Sequence, residues 1–301
     1  MRIGIDLGGT KIEIVALGSD GQTLYRSRVA TPQGDYNGTI DAVEHLVREA
    51  ESTTGQRGSV GIGMPGAISP ATGLIKNANS TWLNGRPFAE DVGAALGQPV
   101  RLANDANCFA LSEATDGAAA GHAVVFGVIL GTGTGGGLVV DGRPLTGPNA
   151  IAGEWGHNPL PWATPEETPG PPCYCRKAGC IEVWCSGPGL AADFARVTGR
   201  PSTAEQIATD AAAGEPDALL ALARYEDRLA RALASVINIV DPDAIVLGGG
   251  LSNLDRLYTT LAAMIEPHVF SDRCWTPILK NKWGDSSGVR GAAWLWPQDP
   301  P

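Results

Sequence analysis

One local pattern occurs twice in this sequence: an apolar strand, a glycine-rich turn and a second apolar strand. The first copy is RIGIDLGGTKIEIVAL at residues 2–17, and the second is AVVFGVILGTGTGGGLVVDG at residues 123–142. A tight turn between two apolar strands predicts a hairpin. The repetition indicates two related halves rather than one continuous sheet. A fold for this chain must therefore place one such hairpin in each half.

Helical patterns follow the hairpins. Apolar residues recur on one helical face from Thr39 to Thr54, where Thr39 is a candidate cap, and again from Asp217 to Val240. This mixture of strands and helices predicts an α/β fold.

The length of 301 residues allows two domains with separate cores. The glycine- and alanine-rich residues 117–122 favour a domain boundary at that point. We predict a small N-terminal α/β lobe over residues 1–118, rejoined by a C-terminal helix over residues 288–301. The prediction for residues 119–287 is a large C-terminal α/β lobe.

The net charge of −10 argues against a general nucleic-acid binder, because such proteins present a basic face to the phosphates. The longest apolar run is well short of the ~18 residues that suggest a membrane span. The residues after Met1 do not have the pattern of a signal peptide. Six cysteines, half of them clustered, suit a reducing compartment. These features predict a cytoplasmic protein that binds neither nucleic acid nor membrane.

The glycine-rich turns differ from the two common nucleotide-binding loops. The sequence contains no G-x-x-x-x-G-K-[ST], which excludes a P-loop. Residues 131–136 match G-x-G-x-x-G, but a dinucleotide site needs a helix to follow. The next residues, LVV at 138–140, predict a strand instead. A dehydrogenase of the Rossmann type is therefore disfavoured.

Both turns could still bind phosphate, because convergent backbone amides form an anion-binding nest. Thr10, Lys11, Thr132 and Thr134 add three hydroxyls and one ammonium group. Asp6, on the strand before the first turn, is suited to pair with the Mg²⁺ of bound ATP. The alternative is that both segments are simply tight hairpin turns.

Asn104 and Asp105 lie where a strand is followed by a helix. Asn and Asp are favoured helix caps, so a capping role explains this pair by itself. A carboxylate at the end of a strand beside a phosphate site could also be a general base. It would take the proton from a sugar hydroxyl as that oxygen attacks the γ-phosphate.

The stretch from Gly153 to Glu182 contains a candidate metal site between two acidic residues. Cys173, Cys175 and Cys180 form C-x-C-x4-C, and His157 lies upstream. Three thiolates and one imidazole suit tetrahedral Zn²⁺. The alternatives are a disulfide or cysteines that fill a core. The surrounding loop is rich in glycine, proline and charge, which favours zinc.

Five motifs occur in order along the chain: DLGGTK at 6–11, ND at 104–105, GTGTGGG at 131–137, GEWGH at 153–157 and CYCRKAGCIE at 173–182. Together they resemble the ROK family of sugar kinases over essentially the whole chain. The resemblance implies a two-lobed, actin/hexokinase-like (ribonuclease H-like) α/β fold. The chain departs from the family in the long proline-rich insert Ala163–Pro172, whose conformation the sequence does not predict.

The resemblance also implies a role for each candidate residue. Asp105 would be the general base. The sugar would be bound by Asn79, Asn104, Asp105, Glu154, His157 and Glu182. A structural Zn²⁺ would be bound by His157, Cys173, Cys175 and Cys180. The second ring nitrogen of His157 would then be free to face a sugar hydroxyl.

The nucleotide would be bound by the glycine turns. The residues implied for the phosphates and Mg²⁺ of ATP are Asp6, Gly8, Gly9, Thr10, Lys11, Gly131, Thr132, Gly133 and Thr134. Those implied near the adenosine are Gly248, Gly249 and Gly250.

Within the family the sequence is most similar to bacterial fructokinases that also accept mannose. This similarity predicts an ATP-dependent hexose kinase that converts D-fructose to fructose 6-phosphate, acts as a homodimer and closes two lobes over its substrates. The alternatives within the family are a glucokinase and an N-acetylhexosamine kinase. A non-catalytic sugar-sensing regulator is the alternative of another class. It is disfavoured because the first predicted strand begins at Arg2, with no preceding DNA-binding segment.

Overall fold

The computed structural model describes residues 1–297. Its strands are β1 (Arg2–Leu7), β2 (Lys11–Leu17), β3 (Thr23–Ala30), β4 (Ser59–Met64), β5 (Ala67–Ile68), β6 (Ile75–Lys76), β7 (Val100–Asn104), β8 (Val124–Leu130), β9 (Thr134–Val140), β10 (Arg143–Pro144), β11 (Ala244–Gly248) and β12 (Ile278–Lys280). Its α-helices are α1 (Tyr36–Thr54), α2 (Phe88–Leu96), α3 (Asp105–Thr115), α4 (Ile181–Cys185), α5 (Gly187–Thr198), α6 (Ala204–Ala212), α7 (Pro216–Val240), α8 (Leu257–Ile265) and α9 (Ser287–Ala293).

The chain divides into two compact units. Unit 1 contains Met1–Gly121, Gly137–Ala152 and the described residues from Lys282 onward. Unit 2 contains His122–Gly136 and Gly153–Asn281. The predicted lobes over 1–118 and 119–287 did not include the return of 137–152 to unit 1. Of the predicted helix over 288–301, residues 288–293 lie in α9 and residues 294–297 are not helical. Residues 298–301 lie outside the described residues.

The sheet of unit 1 has the strand order β3-β2-β1-β4-β7. β1 pairs antiparallel with β2 and parallel with β4, so the first hairpin forms as the alternating pattern predicts. The inward side chains are almost entirely Ile, Leu and Val, and they form one core with the buried faces of α1 and α2. Burial of these apolar side chains is the main stabilising contribution of unit 1.

Helix α9 packs directly on this sheet. A Cβ atom on Gly4 of β1 would lie 2.0 Å from the Val289 carbonyl oxygen, and one on Gly61 of β4 would lie 1.9 Å from that of Ala292. Any side chain at these two strand positions would push the helix away. The two glycines therefore allow the backbone of α9 to rest against β1 and β4.

Helix α1 begins earlier than the sequence predicts. It starts at Tyr36, and the side chain of Asp35 accepts the N–H of Gly38 as the cap. The predicted cap, Thr39, is wrong: it is buried inside the helix and its hydroxyl donates to the Asp35 carbonyl at 2.7 Å. An earlier carboxylate cap outcompetes the threonine because it satisfies a free amide of the first turn.

The second sheet has the order β10-β9-β8-β11-β12, with β11 parallel to both β8 and β12. The second predicted hairpin, β8 and β9, therefore forms as well. The 25-residue helix α7 has a buried face along most of its length, as the periodicity predicts. Among residues 1–297, no helix is both long and apolar enough to cross a membrane.

Candidate active site

The first glycine turn, residues 8–11, joins β1 to β2 in unit 1. The N–H of Gly8 donates to the Lys11 carbonyl at 3.0 Å and closes the turn. Thr31 Oγ1 donates to the Gly8 carbonyl at 2.8 Å, and Gln33 Nε2 donates to the Gly9 carbonyl at 2.8 Å. Thr10 and Lys11 are exposed. The two supporting side chains thus bond carbonyls of the turn rather than its amides.

Two carboxylates lie at the carboxyl edge of the first sheet. Asp6 is on β1, and Asp105 begins α3 directly after β7, so β4 lies between their strands. Burial, together with the negative charges of Asp105 and Glu13, raises the pKa of Asp6 to about 6. The predicted base and the predicted metal partner are therefore close enough to influence each other. Ligands of open α/β sheets bind at this edge.

Asn104 caps α3, as the simpler interpretation of the sequence predicts. Its Oδ1 accepts the N–H of Ala106 at 2.9 Å, and its Nδ2 donates to the Gly66 carbonyl at 3.3 Å. Both bonds fix the first turn of α3 and, with it, the exposed Asp105. Asn79 is exposed in the loop between β6 and α2.

The second glycine turn, between β8 and β9, belongs to unit 2. Gly187 N–H donates to the Gly131 carbonyl at 2.8 Å, and Gly131 N–H donates to the Gly133 carbonyl at 3.0 Å. Glu182 Oε2 accepts the N–H of Thr134 at 3.1 Å. A Cβ atom on Gly133 would lie 2.7 Å from the same oxygen. Glycine at this position therefore lets the carboxylate approach the turn.

The stretch that begins with Glu154 packs on the second hairpin. Trp155 is buried, and its Nε1 donates to the Gly135 carbonyl at 2.9 Å. A Cβ atom on Gly156 would lie 2.0 Å from a main-chain carbonyl of β9. Glu154 itself is exposed. Both predicted sugar carboxylates of unit 2, Glu154 and Glu182, are thus attached to the same hairpin.

The structure brings the four predicted zinc ligands together. One ligand atom from each of His157, Cys173, Cys175 and Cys180 lies within 4.8 Å of all the others. The Cys175 and Cys180 sulfurs are 3.5 Å apart, and Cys173 Sγ is 3.6 Å from His157 Nδ1. Tetrahedral Zn²⁺ requires ~3.8 Å between two sulfurs and ~3.6 Å between sulfur and nitrogen. The four donor atoms and their spacing fit a zinc site in which every coordination position is filled by the protein.

The other nitrogen of His157 has a different neighbour from the one predicted. Nε2 lies 2.8 Å from the hydroxyl of Tyr174, and the two rings meet edge to face. The sequence interpretation left this nitrogen free for a sugar hydroxyl. In the structure the tyrosine occupies that position.

The insert Ala163–Pro172 is attached to α7 by a buried ion-pair cluster. Thr164 and Glu167 form a capping box around a short 3₁₀ turn. The Glu167 carboxylate accepts from Arg228 at 2.7 Å and from Arg231 at 2.9 and 3.0 Å. The two guanidinium groups and the hydrogen bond from the Thr164 amide lower the pKa of Glu167 against the effect of burial. These ion pairs therefore anchor to α7 the segment that precedes the three clustered cysteines.

Unit 2 also contains a pocket of about 800 Å³. Gly131 and Thr132 of the second turn line it on one side, and Gly250 lines it on another. Its remaining walls come from the starts of α5 and α6 and from the turn after β11: Gly187, Pro188, Ala191, Ser202, Thr203, Ala204, Glu205, Ala208, Leu251, Asn253 and Leu254. Of the three predicted adenosine glycines, Gly250 lines the pocket, whereas Gly248 and Gly249 are not among its lining residues.

Sequence reasoning missed Tyr174 and the helical residues that line the pocket. The sequence does indicate the helices that line the pocket: Ser186 and Thr203 are each followed by a helical pattern, and they cap α5 and α6. Tyr174 carried no signal beyond its place between two of the cysteines.

The chain matches the model of the ROK family over residues 2–299. It is 41% identical over 299 residues to the N-acetyl-D-glucosamine kinase of Erwinia tasmaniensis, covering 98% of this chain and 99% of that protein. Its structure is similar to the ROK hexokinase from Thermus thermophilus, with a TM-score of 0.87, 30% identity, and coverage of 98% and 97% of the two chains. It is also similar to a ROK family glucokinase from Streptomyces griseus in complex with glucose and AMPPNP, with a TM-score of 0.77, 28% identity and 99% coverage of each chain.

Proposed function

Because the chain belongs to the ROK family, we propose that it is an ATP-dependent kinase that phosphorylates N-acetyl-D-glucosamine on its 6-hydroxyl. The family and the two-lobed α/β fold predicted from the five motifs are confirmed by the family model and the solved structures. The observation that carries the choice of sugar is the 41% identity to an N-acetyl-D-glucosamine kinase along almost the full length of both chains.

The proposed sugar differs from the first expectation from sequence. The motifs favoured fructose, with an N-acetylhexosamine as an alternative within the family. The curated relatives support that alternative better than fructose. An acetamido group offers an amide N–H donor and a carbonyl acceptor, whereas glucose and fructose carry only hydroxyl groups or a carbonyl at the corresponding carbon. A site that bonds both atoms discriminates strongly against sugars without them.

In unit 1 we assign the chemical step to Asp105. Its carboxylate takes the proton from the sugar hydroxyl while that oxygen attacks the γ-phosphorus of ATP. The bond from the γ-phosphorus to the bridging oxygen breaks, and that oxygen leaves with ADP. Asn104 and Asn79 bind sugar hydroxyls, and the Asn104 cap keeps Asp105 at the end of β7. Asp6 and the first turn, Gly8–Lys11, would hold Mg²⁺ and phosphate.

In unit 2 we assign binding. The pocket beside Gly131 and Thr132 has a volume suited to an adenosine group. Glu154 and Glu182 accept hydrogen bonds from sugar hydroxyls. His157 orients this region through the metal site rather than by direct contact, since Tyr174 covers its second nitrogen.

Two metal ions are part of the proposal. Mg²⁺ supplies positive charge that offsets the charge of the transferring phosphoryl group. Zn²⁺ has a structural role, because four protein ligands leave no open coordination position. The four donor atoms fit zinc by type and by spacing.

A coupled ADP-release assay across a panel of sugars tests the function. The panel contains N-acetyl-D-glucosamine, N-acetyl-D-mannosamine, glucose, mannose and fructose. We expect the highest kcat/KM for N-acetyl-D-glucosamine. A higher kcat/KM for fructose would restore the first expectation from sequence. An absence of ADP release with every sugar, in a protein that still binds sugar, would instead favour a sugar-sensing regulator.

A further inference from the structure

The Glu182 carboxylate lies against the second glycine turn. Oε2 accepts the amide of Thr134 at 3.1 Å and occupies the space where a side chain on Gly133 would be. Within residues 1–297, the Thr134 amide is the one hydrogen-bond partner of this carboxylate. Glu182 is half-buried in the first turn of α4, so its position is fixed by the helix.

The turn has two sides with different neighbours. Gly131 and Thr132 line the pocket that we assign to the nucleotide. Gly133 and Thr134 face Glu182 and do not line the pocket. The carboxylate therefore supports the turn at residues that do not line the pocket.

We propose that Glu182 is a positioning residue for the phosphate-binding turn, and that it couples sugar binding to nucleotide binding. This inference rests on the proposed function, because it takes Glu182 as a sugar ligand. One oxygen holds the turn through Thr134, and the other remains for a sugar hydroxyl.

A shared carboxylate produces coupling for a physical reason. A sugar bonded to Glu182 restricts the side chain and so restricts the turn that it supports. A nucleotide then binds to a turn that has already lost part of its freedom, which costs less conformational entropy. By reciprocity, the nucleotide must improve sugar binding by the same factor.

The test measures the Kd of AMPPNP with and without N-acetyl-D-glucosamine by calorimetry. In the wild type we expect the sugar to lower this Kd about 5-fold or more. In Glu182→Ala we expect the sugar-free Kd to rise about 10-fold, because the turn loses its charge-assisted hydrogen bond. Glu182→Gln keeps an oxygen that accepts the Thr134 amide, so its sugar-free Kd should rise less than 3-fold.

Glu154→Ala is the matched control. It removes the other predicted sugar carboxylate, which makes no hydrogen bond to the turn among the described residues. Its sugar affinity should fall while its sugar-free AMPPNP Kd stays within 2-fold of the wild type. If Glu182→Ala, folded by circular dichroism, binds AMPPNP as tightly as Glu154→Ala, the inference is overturned.

A double-mutant cycle that combines Gly133→Ala with Glu182→Ala provides an independent test of the inference. The φ of Gly133 is outside the left-handed region, so alanine fits the backbone, but its Cβ would displace Glu182. Gly133→Ala should raise the AMPPNP Kd by itself and add nothing to Glu182→Ala. Fully additive effects would contradict the inference. Failure of the proposed function is a separate result, since it appears as an absence of sugar-dependent ADP release in the wild type.

Discussion

The two glycine turns have similar sequences and different surroundings. The first hairpin contains its own charges, Asp6 and Lys11, and its turn is held by two side chains that bond carbonyls. The second hairpin is uncharged from residue 123 to residue 140. Its carboxylate, Glu182, comes from 48 residues further along the chain and bonds an amide.

This difference indicates that the two turns have different roles in the proposed enzyme. The first lies beside the carboxylates that we assign to proton transfer and to Mg²⁺. The second lines a pocket and is supported by a region that contains the four candidate zinc ligands. A duplicated local pattern therefore predicts a shared shape but not a shared chemistry. The three predictions below test this division.

The largest effect should come from the base in unit 1. Asp105→Ala should lower kcat about 10²- to 10⁴-fold, the usual contribution of a general base, with a much smaller change in KM for ATP. Asp105→Asn keeps the size of the side chain and should be similarly slow. Steady-state ADP release measures both, and the exposed Asp20→Asn is the control. A kcat within a few-fold of the wild type would remove Asp105 from this role and end the proposed division.

The second largest effect should be a pH dependence of the free energy of unfolding that is caused by Asp6. Its pKa is about 6 in the folded protein and near 3.8 when unfolded, so the folded state binds the extra proton. Unfolding free energy should therefore fall as pH rises from about 4 to about 6, by on the order of 2 kcal/mol. Asp6→Asn should remove this slope, whereas Asp20→Asn should keep it. Urea unfolding at several pH values measures both, and an unchanged slope in Asp6→Asn would show that Asp6 is not the group responsible.

The smallest effect should be on the zinc affinity of the predicted metal site in unit 2. The purified protein should contain about one zinc per chain. Tyr174→Phe removes the hydroxyl that faces the second nitrogen of His157 and should weaken zinc binding about 10-fold. Competition with a chelator measures this affinity. Tyr258→Phe, which removes a tyrosine hydroxyl elsewhere in unit 2, should leave it unchanged. An absence of zinc in the purified wild type would show that the assigned ligand set is wrong.

Local sequence predicted the parts of the structure that depend on near neighbours. Both hairpins follow from strand patterns interrupted by glycine, and α7 follows from its periodicity. The clustering of His157 with three cysteines follows from ligand chemistry, because few arrangements satisfy so many metal donors in one short stretch. The cap at Asn104 follows from the preference of its side chain for free amides.

The features that were missed depend on residues distant in sequence. The bond from Glu182 to Thr134 joins two segments 48 residues apart, and neither segment encodes it alone. The pKa of Asp6 depends on burial and on Asp105, which the register of three strands brings near. The choice of sugar is a related case. Selectivity depends on side-chain placement within the folded site, which motif spacing does not specify.

The packing of α9 on Gly4 and Gly61 has a consequence for biosynthesis. The core of unit 1 is completed by a helix that leaves the ribosome about 160 residues after Gly121. At ordinary translation speeds this interval is roughly ten to thirty seconds. During that time the two glycine-lined strands present an uncovered face, so we expect chaperones to bind the nascent N-terminal segment until α9 arrives.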